Sequence, residues 1–203
     1  MRNPCREAEA LDTTLEKLYE DKQHGGYFMT SGDHESLLAR EKPAYDGAEP
    51  SGNSVQALNL LRLHELTTDD RYRQRAERAL EAFGDRMAQA PAALSEMLLA
   101  ADFRLDTPKE VVIVAPTSRK DAEPLLAKLQ ATFLPNRVLV VAVDGEDIAA
   151  QSQLVPLLKG KVSRKGQATA YVCERQVCRL PTTDPAIFAD QIRRTEPLSG
   201  RSP

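Results

Sequence analysis

The stretch that most constrains the fold is "SGNSVQALNLLRLHEL", Ser51 to Leu66, with apolar side chains at Val55, Ala57, Leu58, Leu60, Leu61, Leu63 and Leu66. Read as a helix beginning near Ser51, whose hydroxyl suits the free amides of a first turn, it is apolar around most of its circumference. Each such side chain left in water forfeits about 1.5 to 3 kcal/mol, so other helices must enclose it.

The neighbouring segments supply that enclosure. Pro4 to about Glu20 places Ala8, Leu11, Leu15 and Leu18 on one helical face. "GGYFMT", Gly25 to Thr30, reads as a tight turn followed by a short extended piece. From Asp69 or Asp70 to about Met87, Tyr72, Ala76, Ala79, Leu80 and Phe83 line one side, and "RQRAER" is assigned to the solvent side. Pro91 opens a further helix to Leu105 with an apolar run from Met97 to Ala101. Enclosed helices alternating with one-faced helices form a two-layer helical ring.

Beyond residue 106 the pattern changes. "EVVIVAP" and "RVLVVAV" are short β-branched runs, expected as strands buried on both faces. Between them Ala122, Leu125, Leu126, Leu129 and Phe133 mark an amphipathic helix capped by Ser118 or Asp121, so the strands should be parallel. "TAYVC" and "VCRL" read as a hairpin across Glu174 to Gln176, and "TDPAIFADQIRR" as a helix with Asp184 as cap and Pro185 in its first turn. The expectation is a mainly α chain with a C-terminal α/β segment: helices over 1–106, a βαβ-plus-hairpin unit over 107–195, and a frayed tail over 196–203.

Composition narrows the function classes. With 41% hydrophobic and 28% charged residues the chain is globular. A net charge of -3 from interspersed signs leaves no basic patch for a nucleic acid. The start "MRNPCREAEALD" lacks the apolar core of a secretory signal, and no stretch has the length of a membrane span, so the cytoplasm is the expected compartment. His24, His34 and His64 lie far from the cysteines, and no metal or cofactor is expected. Cys173 and Cys178 in "CERQVC" admit a packed hairpin of reduced thiols or a cross-strand disulfide. "VAPTSRKD" lacks the glycines of a phosphate loop.

The loop "KPAYDGAEPSGNS" leads into the enclosed helix and gathers Asp46, Glu49, Ser51 and Asn53 at its amino end, with Tyr27 behind and Lys42 at the approach. Two readings stand. Neighbouring carboxylates in a partly dry pocket can take different pKa values and serve as acid and base on a sugar. Alternatively, the same residues only cap the helix and satisfy the loop. Tyr27 and Phe28 suit an aromatic platform for a sugar or a place in the core; Lys42 and Arg40 suit an anionic group or solvent.

"GGYFMT", "LLAREKPAYDGAEPSGNSVQALNLLRLHELT", "EVVIVAP" and "ATAYVCERQVCRLPTTDP", in that order, resemble the carboxy-terminal portion of the YyaL-like, spermatogenesis-associated thioredoxin-domain family. The resemblance runs from about Lys17 to Ile192. It implies part of an (α/α)6 toroid similar to six-hairpin glycosidases and N-acylglucosamine epimerases, followed by a small α/β segment. This sequence has no thioredoxin-like start and no CxxC, so the family's redox activity is not carried over. It supplies about four helices where a closed ring of six hairpins needs about twelve. The resemblance therefore implies a carbohydrate-related module contributing part of a sugar-binding or sugar-isomerising site. The alternative is a non-catalytic interaction module completed by a partner chain carrying the remaining helices or a thioredoxin-like domain. A redox accessory using Cys173 and Cys178 is a third reading.

Overall fold

A computed structural model describes residues 4–33 and 39–194. His34 and the expected tail over 196–203 lie outside the described residues. The chain is about half helical with one small mixed sheet, and it divides into two compact units, 1–105 and 106–203.

The first unit holds α1 (Pro4–Leu18), α2 (Gly52–Thr67), α3 (Asp70–Ala82), α4 (Gly84–Gln89) and α5 (Ser95–Leu105). The α2 helix packs chiefly against α3 and α5 and buries Ala57, Leu60, Leu61 and Leu63 together with Asn53, Ser54 and Gln56. Only Gly52, Val55, Asn59 and Arg62, spaced by three and four, form an exposed stripe. Two expectations change here. The helix expected to Met87 ends at Phe83 and restarts at Gly84, a residue whose backbone freedom disfavours helix interiors. The apolar face read on α1 is also incomplete, since Leu11 is 68% exposed and the buried residue is Asp12. What α1 turns toward α3 is an acidic row: Glu9, Asp12, Glu16 and Glu20, counting the residue just past its end, meet Tyr72, Arg75 and Arg78.

The second unit is built on β1 (Lys109–Ala115), β2 (Arg137–Val143), β3 (Thr169–Glu174) and β4 (Val177–Cys178), in the order β2-β1-β3-β4. As the strand–helix–strand pattern implies, β1 and β2 are parallel; β3 runs antiparallel to β1 and forms the hairpin with β4. The described residues of this unit also form three α-helices: α6 (Glu123–Gln130), α7 (Glu146–Gln151) and α8 (Pro185–Arg193). Val111, Ile113 and Ala115 on one face of β1 pack with Ala170 and Val172 under Leu125 and Leu129 of α6 and Phe188 and Ile192 of α8. Asp184 caps α8 through the amides of Ala186 and Ile187, and Ser118 with Asp121 forms a reciprocal capping box ahead of α6. Only β1 is buried along its whole length. Leu139 of β2 is exposed because β2 is an edge strand, and Phe133 is 93% exposed because α6 stops at Gln130.

Candidate functional site

The loop before α2 is organised by Asp46. Its buried carboxylate accepts from the Ser51 amide at 2.8 Å, the Ser54 hydroxyl at 3.1 Å, the Glu96 amide at 2.9 Å and the Met97 amide at 3.2 Å. It thereby joins the amino ends of α2 and α5, where unpaired amides and helix dipoles favour an anion. Burial pushes its pKa up, but these four donors outweigh burial and hold it below the ordinary aspartate value. Ser51 caps α2 through the Ser54 amide at 3.1 Å. Glu49, three residues after Asp46, is exposed.

Asn53 and Tyr27 form a second junction. The Asn53 side chain accepts from the Tyr27 amide at 2.6 Å and donates to the carbonyls of Tyr27 at 2.9 Å and Pro43 at 2.8 Å. Such close approach depends on the preceding turn. Gly25 has φ +72°, and a Cβ there would lie 2.2 Å from the Arg78 carbonyl oxygen, so only glycine fits. Tyr27 is buried, its hydroxyl accepting from Arg75 at 3.1 Å, and burial pushes its pKa up to about 12. Lys42 donates to Asp21 at 2.7 Å and to the Gly25 carbonyl at 3.0 Å. Burial opposes the charge on Asp21, yet the bond from Lys42 and the amides of His24 and Gln23 draw its pKa down to about 2.

The structure therefore gathers Asp46, Ser51, Asn53, Tyr27 and Lys42 around the base of one loop and gives each an internal partner. Asp46 accepts three bonds at Oδ2 and one at Oδ1, and Asn53 uses both of its amide hydrogens. Tyr45 and Glu49 are among the residues of this loop that face solvent.

Two buried charge clusters escaped the reading of the sequence. Arg75, assigned to the solvent side within "RQRAER", is buried and binds Asp12 at 2.6 Å and Glu20 at 2.8 Å, while Gln56 holds the other Asp12 oxygen at 2.7 Å. Burial opposes the Arg75 charge, but Asp12, Tyr27 and Glu20 raise its pKa. The signal was available: Arg75 lies three residues from Tyr72 and one from Ala76, on the apolar side of α3. The second cluster is in the other unit. Glu110, in the otherwise apolar run of β1, is 2% exposed; its Oε1 accepts from the Gln176 amide at 3.1 Å and its Oε2 has no hydrogen-bond partner among the described residues. Burial raises its pKa against the opposing bond from Gln176 and the nearby charge of Lys161.

Cys173 and Cys178 are disulfide-bonded across the hairpin, the bonded one of the two arrangements the spacing admits. Among the described residues no group of three or more His, Cys, Asp or Glu side chains is placed to hold a metal ion. His64 contacts the Asp69 carbonyl at 3.2 Å, as a packing residue would. No described helix is long and apolar enough to cross a membrane.

No family model matches the chain. Human spermatogenesis-associated protein 20 is 41% identical over 176 residues, covering 86% of this chain and 22% of the relative. The rat protein of that name is 39% identical over the same shares. An uncharacterized protein of Caenorhabditis elegans is 28% identical over 158 residues, 77% of this chain and 21% of the relative. These similarities fit the family that the motifs resemble, and the chain spans about a fifth of the length of the curated relatives it matches.

Proposed function

We propose that the first unit is a non-catalytic helical interaction module, part of an (α/α)6 toroid of the six-hairpin glycosidase type, completed in the cytoplasm by further helices from a partner chain. One observation carries this reading: α5 is apolar on two sides. Met97, Ala100 and Phe103 are buried, while Leu98, Leu99 and Leu105 on another side are exposed. A solvent-facing helix of a complete domain carries polar residues there. The covering segment is taken as helical from the resemblance to an (α/α)6 ring, and the chain spans only about a fifth of its relatives' length. The engagement of Asp46, Asn53 and Lys42 by internal partners supports a structural rather than a catalytic role for these residues.

A second reading keeps the sugar ligand and moves it to the outer edge of the loop. Tyr45 is 72% exposed with its ring over Gly47, and Glu49 of the same loop is exposed too. An aromatic face next to a carboxylate suits a sugar ring.

Light scattering after size exclusion tests the first reading. The chain alone is expected to self-associate and to bind a hydrophobic dye. Replacing Leu98 and Leu99 together by Glu should yield a dye-negative monomer of unchanged melting temperature. A wild-type monomer that binds no dye would sink the interaction module. A rise in melting temperature with sugars or N-acyl sugars, abolished by Tyr45→Ala, would favour the second reading.

A further inference from the structure

The second unit carries a group that the helical module does not use. Cys173 of β3 stands directly opposite Glu110 of β1 and opposite Cys178 of β4. Residues directly opposite in an antiparallel pair share a sheet face, with Cβ atoms roughly 4.5 to 5.5 Å apart. Glu110, Cys173 and Cys178 thus form one row leading from the buried interior of the sheet to its edge. Cys173 is buried and Cys178 is exposed on the two-residue strand β4.

We propose that this row is a thiol–disulfide exchange site for a dithiol-bearing peptide or protein, in which Cys178 is the attacked sulfur and Glu110 supplies the proton to the departing Cys173. A substrate thiolate bonds to Cys178 Sγ as the Cys173–Cys178 bond breaks, and the electron pair leaves on Cys173 Sγ. The Glu110 carboxyl proton passes to that sulfur, giving a Cys173 thiol and a Glu110 carboxylate. The substrate's second thiolate then attacks its own sulfur in the mixed disulfide and releases the Cys178 thiolate, which takes a proton from water. The substrate leaves as a disulfide; this chain gains two electrons and holds two thiols.

Three observations support the assignment of roles. A thiolate left in the apolar interior is a poor leaving group unless protonated, and a buried thiol has an elevated pKa. Glu110 lies on the same face with one carboxyl oxygen unpartnered among the described residues, and burial raises its pKa above the ordinary glutamate value. Lys161 faces the resulting carboxylate, and its own charge is disfavoured by burial and favoured by Glu110. Lys109 and Glu174 belong to the opposite face, where Lys109 is engaged with Glu174 and the Arg194 carbonyl. The hairpin is also held against local preference: Arg175 and Gln176 have φ +51° and +64° without being glycine. Bond cleavage therefore frees a turn whose Gln176 amide otherwise pins Glu110.

The test uses the oxidised full chain with Cys5→Ser, since Cys5 is not disulfide-bonded. Reduction by dithiothreitol between pH 6 and 8 is quenched with an alkylating agent and followed by mass spectrometry, with rates expressed per attacking thiolate. The expected rate exceeds that of oxidised glutathione, and glutathione as a monothiol probe is trapped on Cys178. Glu110→Gln should lower the rate about tenfold at the lower end of this range and remove any fall in rate with rising pH. An unchanged rate and profile in Glu110→Gln, glutathione trapped on Cys173, or a wild-type rate no faster than oxidised glutathione would each overturn the proposal. If Glu110→Gln does not fold, the wild-type rate and the site of trapping decide it.

Discussion

Asp46 and Glu110 are buried acids, one in each unit, and they are in opposite electrostatic positions. Asp46 collects four donors and its pKa is lowered, whereas Glu110 has one donor and, among the described residues, one unpartnered oxygen, and its pKa is raised. Burial opposes charge on both, so the supply of donors decides the outcome. Helix amino ends offer amides that no helical carbonyl can use; a central strand has already committed its amides to the ladder. A carboxylate at the first place becomes a staple, and one at the second holds its proton to higher pH.

The largest effect is expected from Asp46→Ala. It strands the amides of Ser51, Glu96 and Met97 and the hydroxyl of Ser54, and an orphaned buried donor costs about 1 to 3 kcal/mol. Partial hydration leaves an expected loss of about 4 kcal/mol in urea unfolding. A loss below about 1 kcal/mol would return Asp46 to the list of groups free for chemistry.

Arg75→Met extends the comparison to a buried cation. It leaves Asp12 and Glu20 without their main counter-charge, which costs about 3 kcal/mol for a buried pair broken on one side. Adding Asp12→Asn and Glu20→Gln should recover most of that loss. Failure to recover any of it would mean that Arg75 acts through packing of its stem rather than through charge.

Much of this architecture was legible in the sequence. The enclosed α2 helix, the parallel pair, the hairpin and the Asp184 cap follow from periodicity and turn chemistry, because these signals are local. The partners of charged residues were not legible. Asp12, Arg75 and Glu110 have the composition of surface residues, and only the meeting of separate elements shows that they are buried. The same limit applies to the loop: Asp46 and Glu49 look alike three residues apart, but the amino end of α5, some fifty residues later, singles out Asp46.

Glu110→Gln should change stability by only about 1 kcal/mol at a pH where Glu110 is protonated, since the amide resembles the protonated acid. The comparison with Asp46 is sharpened by the sign of the pH dependence. The folded-state pKa of Asp46 is depressed, so its contribution is present above the ordinary aspartate value and is lost as pH falls through the depressed one. That of Glu110 is raised, so its contribution is full below the ordinary glutamate value and is lost as pH rises through the raised one. Urea unfolding at a series of pH values should show Asp46→Asn flattening the acid limb and Glu110→Gln flattening the limb above it. Both variants flattening the same limb would break the contrast.

The smallest effect is expected at Glu49. Its side chain is exposed, so Glu49→Ala should shift unfolding by less than about 0.5 kcal/mol. That neutrality makes it the cleanest probe of the loop's outer edge, because any change in ligand binding can then be read without correction for folding. Thermal shift with N-acyl sugars compares the wild-type chain with this variant. A ligand-induced shift in the wild type that disappears in Glu49→Ala would assign binding to the edge that Asp46 supports from beneath. Equal shifts in both would place the ligand elsewhere, and a destabilised Glu49→Ala would mean that the division of this loop into a structural base and an open edge is wrong.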